Sequence, residues 1–575
     1  METSSADGGG TPGLEGTRPR PSGNATLTPP PEPSSALFTR RSIVLSFWAI
    51  VLCLGLPHWL WTTSTYRATL PLSTMNDWAE GKACDLRFPF PIHLRVPGWT
   101  LGEEEELAGK LRVLLHGGKG GDGLGGMFDF PVHVVDSNDA YPLQADMDEA
   151  LKVVLHVNEA PNAHEHTSSL EPWEPTVHLS YGLSRAGGRD GLPPWVAAQI
   201  RELFKPQQEA LAYLLNGTPF AATKHEGMRA MMSRESEAKL DARSTRAFKP
   251  STTYHLSFSL FVSGNEPSAW AIEDALGVYV KPLIDALSGI ANFTVTTQVQ
   301  LRASFSPSIA GPTYDEASGE WKLRKEGLSG FVNAAEWPLS PSVGEGSTIN
   351  FVLYVPAQGQ SPLVIAETGG TGWLVPQWGS VAILNPNPRS SQPQSPTATA
   401  LTTLTAADLE PVMLTFAEQL TSLIGLPSSP TGSLALRLAA LQRERTASLL
   451  LSSSSTLGAL SRLVHKLPNI PIPDTVATSV STSLQHLELA CQDLRTGRYS
   501  KTAGDLGALG HAQAANEASE KAFFEPSMVG QVYFPDEHKV AVYVPLLGPM
   551  GVPLVLAGVK ELLGWYRGRG KVKGA

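Results

Sequence analysis

The sequence predicts a mixed α/β body between two transmembrane helices. Two apolar segments, residues 42–61 and 540–559, lie near the two ends of the 575-residue chain. Each would form a helix long enough to cross the roughly 30 Å hydrocarbon core of a bilayer. Between them, strand-like and helix-like patterns alternate to about residue 403, and residues 404–525 have a largely helical pattern. This order is typical of a mixed sheet-and-helix domain followed by a helical part.

Basic residues lie on the outer side of each apolar segment. Arg40 and Arg41 precede the first segment, and Lys560 and Arg567 follow the second. Because cytoplasmic flanks carry the excess of Lys and Arg, both termini are predicted to be cytoplasmic and residues 62–539 lumenal. A cleaved signal peptide is the alternative for the first segment, but its late start and the lack of a small-residue cleavage site argue against cleavage.

The two predicted tails differ in composition. Residues 1–41 are rich in Gly, Pro, Ser and Thr, and we expect disorder because they hold too few apolar groups to offset the entropy of folding. Residues 560–575 form a basic tail, in which Lys571 and Lys573 stand at the fifth and third positions from the end. This spacing resembles the dilysine retrieval signal of endoplasmic reticulum membrane proteins. Ordinary flanking positive charge is the alternative.

The composition of the chain argues against nucleic acid as a partner and leaves open whether two of its cysteines form a disulfide. The chain is 42% hydrophobic, enough for two or three domains with their own cores. A net charge of −10 offers nucleic acid no basic footprint. Cys53 lies in the first apolar segment, so Cys84 and Cys491 are the pair available for a disulfide in an oxidising compartment. Apolar residues at helical spacing lead up to Cys491, a pattern that favours a buried thiol over a bridge.

The first third of the body holds short predicted elements. Residues 87–97 and 111–116 are strand-like, and residues 160–194 are polar and typical of a loop or surface insertion. The glycine-rich stretch 117–126 contains the spacing G-x-G-x-x-G. A dinucleotide site needs a helix directly behind such glycines, whereas a strand-like run follows here. We therefore expect a flexible hairpin and no cofactor.

The middle of the chain has the clearest alternation. Residues 254–262 predict a half-buried strand, and apolar residues at helical spacing predict a helix over 272–287 that Pro282 kinks or ends. A Pro/Ser/Thr-rich loop is predicted over 385–403. The further predicted strands are 293–305, 350–355 and 380–384.

Helices are predicted for the rest of the body. Residues 409–424 form one amphipathic helix. Residues 434–467 form a second helix, and residues 475–524 a third. For the third, Asp474 is a candidate N-cap and Gly497 a candidate break.

The body offers no sequence motif for catalysis. His164 and His166 are the densest candidate metal ligands, but no third ligand is indicated and the neighbourhood is polar loop. No G-x-S-x-G or C-x-x-C motif occurs. We therefore predict no catalytic, cofactor-binding or metal-binding residues.

Two acceptor patterns for N-glycosylation fall in the predicted lumenal body. These are Asn216-Gly217-Thr218 and Asn292-Phe293-Thr294. Pro219 directly after the first pattern should reduce its use. Asn24-Ala25-Thr26 also matches, but it lies in the predicted cytoplasmic tail and should stay unmodified.

Strings at both ends of the chain are similar to one known family. LGLP at 54–57 with TTSTYRATLP at 62–71, and KAFFEP at 521–526 with YFPD at 533–536 and VYVPL at 542–546, resemble the two anchors of the PIG-S family. Residues 254–260, 272–293 and 350–356 resemble the interior of the same family. The glycine-rich loop, the polar region near 160–195 and the loop at 385–403 depart from it as insertions.

The resemblance implies a subunit of the glycosylphosphatidylinositol (GPI) transamidase of the endoplasmic reticulum membrane. That complex removes a C-terminal signal from a proprotein and joins the new carboxyl end to a glycolipid. The resemblance further implies that PIG-K supplies the catalytic cysteine and that PIG-T, PIG-U and a GPAA1-type subunit are further partners. Two alternatives are an independent lumenal enzyme that uses the glycine loop or the two histidines, and a membrane-tethered module that binds glycans or cargo alone.

Overall fold

The structure is a computed structural model. It describes residues 33–63, 66–117, 127–135, 150–158, 166–183, 188–221, 227, 232–303, 311–331, 346–385, 403–428, 432–468, 470–500, 505–529 and 536–572. The chain divides into two units, one of Met1–Thr65 with Val532–Ala575 and the other of Tyr66–Gln531, the body. The predicted mixed α/β class with a helical C-terminal part is confirmed.

The first unit contains both predicted apolar segments as helices. The first apolar helix covers residues 34–63 and includes a π-helical turn at Val51–Gly55. The second apolar helix is Asp536–Val572. By length and composition, Ser34–Trp59 and Leu547–Tyr566 could each cross a membrane. The helices therefore extend beyond the predicted bounds of 42–61 and 540–559.

The two apolar helices run antiparallel. At one end Arg40 Nε and Arg41 Nε lie 2.9 Å and 2.8 Å from the two carboxylate oxygens of Glu561. At the other end the Trp59 and Tyr543 rings meet edge to face, with centroids 5.9 Å apart. The N-terminal end of the first helix and the C-terminal end of the second therefore lie side by side. The predicted topology, with both chain termini on one side of the membrane, requires this arrangement.

The body begins with a five-stranded sheet whose strand order is β4-β2-β5-β7-β6, parallel except for β6. Helices α2 and α3 contribute to the same apolar core as the sheet, and a separate strand pair, β1 with β3, adjoins it. The elements of this part are α1 (Leu72–Ala79), β1 (Phe88–Pro89), β2 (Ile92–Arg95), α2 (Leu101–Gly117), β3 (Phe128–Asp129), β4 (Val132–Val134), β5 (Leu151–Asn158), β6 (Thr167–Leu170), β7 (Thr176–Gly182) and α3 (Leu192–Leu215).

Two predictions fail in this part. The strand expected at 111–116 is the end of α2, because Leu111 and Leu115 are buried on one face of that helix and a short apolar run fits either structure. The loop expected at 160–194 contains β6, β7 and the start of α3. Strand β7 is apolar on one face only, and the Ser, Thr and His residues on its other face give it the composition of a loop. The strand-like run expected over 87–97 contains two strands in the structure, β1 and β2.

A second five-stranded sheet follows, with order β10-β8-β13-β16-β15 and only β15 antiparallel. Helices α5, α6 and α7 pack on one face, and a small sheet of β11, β12 and β14 packs beside the other. The elements are α4 (Arg234–Arg246), β8 (Thr253–Val262), β9 (Ala269–Trp270), α5 (Ile272–Ala275), α6 (Lys281–Leu287), β10 (Asn292–Leu301), β11 (Thr313–Asp315), β12 (Glu320–Leu323), β13 (Ser347–Val355), β14 (Leu363–Ile365), β15 (Gly372–Val375), β16 (Gly379–Ile383), β17 (Thr403–Leu404) and α7 (Ala406–Ile424).

The predicted strands of this part are confirmed, with one correction. Strand β8 is buried on both faces rather than half-buried, because it lies inside a sheet that is packed on both sides. The helix expected over 272–287 is interrupted by a π-helical turn at Leu276–Val280, and Pro282 stands in the first turn of α6, where its missing N–H costs no helical hydrogen bond.

Three long helices complete the body: α8 (Leu434–Lys466), α9 (Asp474–Thr496) and α10 (Gly507–Phe523), followed by the short α11 (Pro526–Val529). The predicted break is confirmed, since Gly497 ends α9 in the left-handed conformation with φ 77°. The predicted N-cap is wrong. Pro473 occupies that position, and the Asp474 carboxylate instead accepts a hydrogen bond of 2.7 Å from the Tyr66 hydroxyl.

Cys84 and Cys491 form a disulfide with their Cα atoms 6.1 Å apart. The interpretation of Cys491 as a buried thiol is therefore wrong, although the apolar helix face that suggested it is present, with Val476, Val480 and Leu487 buried. Helical periodicity shows which side of a helix is buried but not which residues pack against that side. Here Cys84 is one of those residues.

Candidate functional site

The structure exposes both predicted glycosylation sites. Asn216 is the C-cap of α3, and Asn292 is the first residue of β10; both are exposed. The Thr218 hydroxyl donates a hydrogen bond of 2.7 Å to the Leu215 carbonyl. Asn24 lies outside the described residues.

The candidate metal ligands are only partly described. His166 stacks on Tyr181 with ring centroids 4.2 Å apart, and its Nδ1 accepts a hydrogen bond from the Gly182 backbone N–H at 3.3 Å. These contacts give the ring a packing role at the start of β6. His164 and the glycine motif of residues 118–123 lie outside the described residues. Lys571 lies in the last turn of the second apolar helix, and Lys573 lies outside the described part.

One titratable cluster that sequence reasoning missed lies between α9 and α10. Asp493, Asp505 and His511 place three potential ligand atoms within 4.8 Å of one another. However, the Arg498 guanidinium contacts Asp493 and lies 3.7 Å from Asp505, so it already neutralises the carboxylates. His486 Nδ1 lies 2.9 Å from His511 Nδ1. An arginine inside the cluster opposes the binding of a cation. We therefore interpret the cluster as a partly buried ion network that fastens α9 to α10. No sequence motif predicts this cluster, because its members come from two helices and the turn between them.

Three consecutive charged residues of α8 are buried in different surroundings. The Arg443 guanidinium lies 4.8 Å from the ring centroids of both Phe90 and Tyr499. Glu444 pairs with Arg243 of α4. Arg445 donates hydrogen bonds to the Tyr254 hydroxyl at 3.1 Å and to the Ile424 carbonyl at 3.0 Å.

These contacts tie the two sheets to one helix. Arg443 reaches the core of the first sheet, and Arg445 reaches the core of the second. Burial raises the pKa of the Glu444 carboxyl, and the guanidinium of Arg243 opposes that rise. Helix α8 thus connects the cores of the two sheets, which is a structural role.

Strand β10 is a candidate binding surface. It pairs in parallel with β8 over all ten residues and stands at the end of its sheet, so no described strand pairs with its other edge. Val295, Val299 and Leu301 are 44%, 42% and 41% exposed. The strand contains no charged residue and no proline. Natural edge strands usually carry such residues to prevent pairing with other chains, so this edge is suited to a strand of a partner.

Sequence reasoning found β10 but not its position. The alternation within NFTVTTQVQL predicts a strand, and the lack of charge was visible in the letters. Only the strand order shows that it lies at an edge, because nothing local distinguishes an edge strand from a central strand of similar composition.

The fold and these surfaces define a class of protein: a large α/β body with no motif for catalysis, in a chain that also carries two apolar helices of membrane-spanning length. The family model for phosphatidylinositol-glycan biosynthesis class S protein matches residues 46–568. The chain therefore belongs to the PIG-S family, and the predicted resemblance is confirmed.

Named relatives match over most of their length. The chain is 29% identical over 562 residues to the GPI-anchor transamidase component PIGS of Homo sapiens, covering 91% of this chain and 95% of the relative. It is 24% identical to the GPI transamidase component GPI17 of Saccharomyces cerevisiae, covering 89% and 90%. A PIG-S homolog of Schizosaccharomyces pombe is 30% identical over 340 residues, which cover 58% of this chain and 57% of the relative.

Proposed function

We propose that this chain is a non-catalytic scaffold subunit of a GPI transamidase complex in the endoplasmic reticulum membrane. The observation that carries the proposal is the end-to-end relationship to proteins named as components of that enzyme. In this proposal the catalytic cysteine belongs to another chain. The free cysteine, Cys53, lies in the first apolar helix.

The same proposal assigns a topology and partners. Both termini are cytoplasmic, the body is lumenal, and the partners are PIG-K, PIG-T, PIG-U and a GPAA1-type subunit. The antiparallel apolar helices support the topology. The apolar cores of the body, and the edge of β10 with which no described strand pairs, support a role in holding other chains.

Depletion of the chain tests the function. We expect cells without it to accumulate proproteins that keep their C-terminal signals and carry no glycolipid. Normal attachment of glycolipid in depleted cells would contradict the proposal.

Purification tests the scaffold role. In mild detergent the tagged chain should elute with stoichiometric partners, whereas a binding module that acts alone would elute as a single species. Val295→Lys with Val299→Lys should reduce partner retention, because the partner strand would have to bury the new charges. Leu101→Lys with Val113→Lys, at exposed positions of α2, is the matched control.

Substitution of Gly118, Gly120, His164 and His166 tests the alternative of an independent enzyme. The substituted chain should still support attachment of glycolipid to proproteins. Loss of that attachment would favour the enzyme.

A further inference from the structure

The second apolar helix contains three prolines at a spacing of four residues. Pro545, Pro549 and Pro553 all lie inside this helix. Proline carries no backbone N–H, so each of them leaves the carbonyl four positions earlier without its helical donor. The carbonyls concerned are those of Ala541, Pro545 and Pro549. Three hydrogen-bond acceptors are therefore freed within the predicted span 540–559.

The three prolines follow one side of the helix. A spacing of four residues is close to one helical turn, so neighbouring prolines stand above one another. We call this side the proline face. Its members, all of them exposed, are Val542, Pro545, Pro549, Val552, Pro553 and Leu556.

The proline face points away from the first apolar helix. Gly558 faces that helix, since an added Cβ there would lie 3.0 Å from Trp48 Nε1. Val559 and Leu562 line the groove between the two helices. Pro549 precedes Gly558 by about two and a half helical turns and therefore stands on the opposite side. The first apolar helix thus contacts the side of the second that lacks the prolines.

A freed carbonyl is unfavourable where water is absent. In the hydrocarbon of a bilayer, prolines are tolerated in a spanning helix when neighbouring helices supply donors to the backbone groups that the prolines free. In the proposed topology, the carbonyls of Pro545 and Pro549 lie inside the span. Ala541 lies near its end, where interfacial water can bind. The carbonyls of Pro545 and Pro549 therefore require donors.

We propose that the proline face is the docking site for a transmembrane helix of another subunit, whose Ser, Thr or Asn side chains donate hydrogen bonds to the carbonyls of Pro545 and Pro549. Hydroxyl and amide side chains make such contacts between membrane helices. Because the two carbonyls are four residues apart, the matching donors should be three or four residues apart on the partner. The inference rests on the proposed function, because the partner belongs to the same complex.

The chemistry of the proline face selects a helix over lipid. Acyl chains contain no hydrogen-bond donor and would leave both acceptors unpaired. The side chains beside the prolines, Val542, Val552 and Leu556, are apolar. They suit the apolar surface of a membrane helix and offer no charge to a lipid head group.

Restoring the missing N–H groups tests the site in the assembled, full-length complex. Pro549→Ala with Pro553→Ala lets residues 549 and 553 donate to the two carbonyls, which then need no partner. We expect retention of one membrane subunit in mild detergent to fall about fivefold. Alanine has a far higher helix propensity than proline, so this loss would not reflect a damaged span. Unchanged retention of every subunit would overturn the inference.

Gly548→Ala with Gly551→Ala is the matched control. This variant also raises the helix propensity of the span, but it supplies no donor to a freed carbonyl. An added Cβ at either position meets nothing within 4 Å. Retention should therefore change less than about twofold. A loss equal to that of the proline variant would assign the effect to the stiffness of the helix and would contradict the docking site.

Photo-crosslinking identifies the occupant. A benzophenone amino acid replaces Val552 on the proline face or Val559 in the groove, and the adducts are mapped by mass spectrometry. At Val552 we expect adducts with the span of one partner subunit, in a segment that contains Ser, Thr or Asn. At Val559 we expect adducts with the first apolar helix. At Val552, no adducts, or adducts with lipid only, with the first apolar helix or with a span that lacks such donors, would refute the proposed occupant.

Failure of the proposed function is distinguishable from failure of this inference. If the wild-type chain brings down no transamidase subunit, the proposed function itself fails. If the wild-type chain assembles and the tests at the proline face fail, the inference alone is wrong.

Discussion

Cys84 and Cys491 are 407 positions apart in the chain and are joined by a disulfide. Cys84 precedes β1, the first strand of the body. Cys491 lies near the C-terminal end of α9, one of the last helices of the body. The bond therefore fastens the N-terminal entry of the body to its C-terminal helices, which are also joined by the bridge between Arg67 and Ile472 and by the hydrogen bond from Tyr66 to Asp474.

Removal of this bond should destabilise the body. A disulfide that closes a long loop restricts the unfolded chain, and its loss costs about 6 kcal/mol in the chain-entropy description. We expect Cys491→Ser to lower the Tm and to increase cleavage by protease in detergent solution. Cys53→Ser, which lies outside the body, is the control and should leave the Tm unchanged. Equal Tm values for all three proteins would show that the other contacts between the two ends are sufficient without the disulfide.

Arg443 should matter for its volume more than for its charge. The side chain is 1% exposed between two aromatic rings, and Nη1 donates a hydrogen bond of 3.1 Å to the Gln207 side chain. Arg443→Ala leaves a cavity and should cost about 3 kcal/mol. Arg443→Met keeps most of the volume and should lie within about 1 kcal/mol of the wild type. Urea unfolding midpoints measure both, and a larger loss for the Met variant would contradict this account.

Stability should fall as the pH drops below neutrality. Burial, followed by the nearby charges of His133 and Lys152, lowers the pKa of His93 below its usual value. The unfolded chain then binds a proton at this residue more readily than the folded chain does. The contribution is fully present above the unfolded pKa of about 6.5 and is lost as the pH falls from there towards the lowered pKa.

The Tm measured between pH 8 and pH 5 tests this dependence. His93→Gln removes the titrating group and should flatten the curve, although it lowers the Tm at every pH. A variant curve as steep as that of the wild type would assign the effect to other groups.

Gly558 should be required for the pairing of the two apolar helices. A Cβ atom at this position would lie 3.0 Å from Trp48 Nε1, and small residues let membrane helices approach closely. Gly558→Leu should therefore separate the helices. Disulfide trapping between cysteines placed at Val44 and Leu562, which line the same groove, should decrease strongly. Gly564→Leu, where an added Cβ meets nothing within 4 Å, is the matched control.

Glycosylation tests the topology directly. If residues 62–539 are lumenal, Asn292→Gln should remove one glycan, seen as a mobility shift on electrophoresis that enzymatic deglycosylation abolishes. Asn216 should be modified less completely, because Pro219 follows its acceptor pattern. Sugar on Asn24, or none on Asn292, would reverse the predicted orientation.

Local patterns predicted elements whose apolar residues have one clear period. Strand β8, helix α7 and the break at Gly497 could be read from residues within a few positions of one another. The sequence predicts a strand at the end of α2 because a run of six residues with four apolar side chains fits both periods. Strand β7 was missed because its outward residues are polar, so that it resembles a loop in composition.

The sequence by itself determined the class of this protein: two apolar segments, a mixed α/β body, a helical C-terminal part and the PIG-S family. Each depends on composition, local periodicity or shared strings of residues. The tertiary structure decided which side chains meet. The bond between Cys84 and Cys491, the position of β10 at the end of its sheet and the pairing of His93 with His133 depend on strand order and helix packing. These arise from contacts between residues far apart in the chain, which no local pattern encodes.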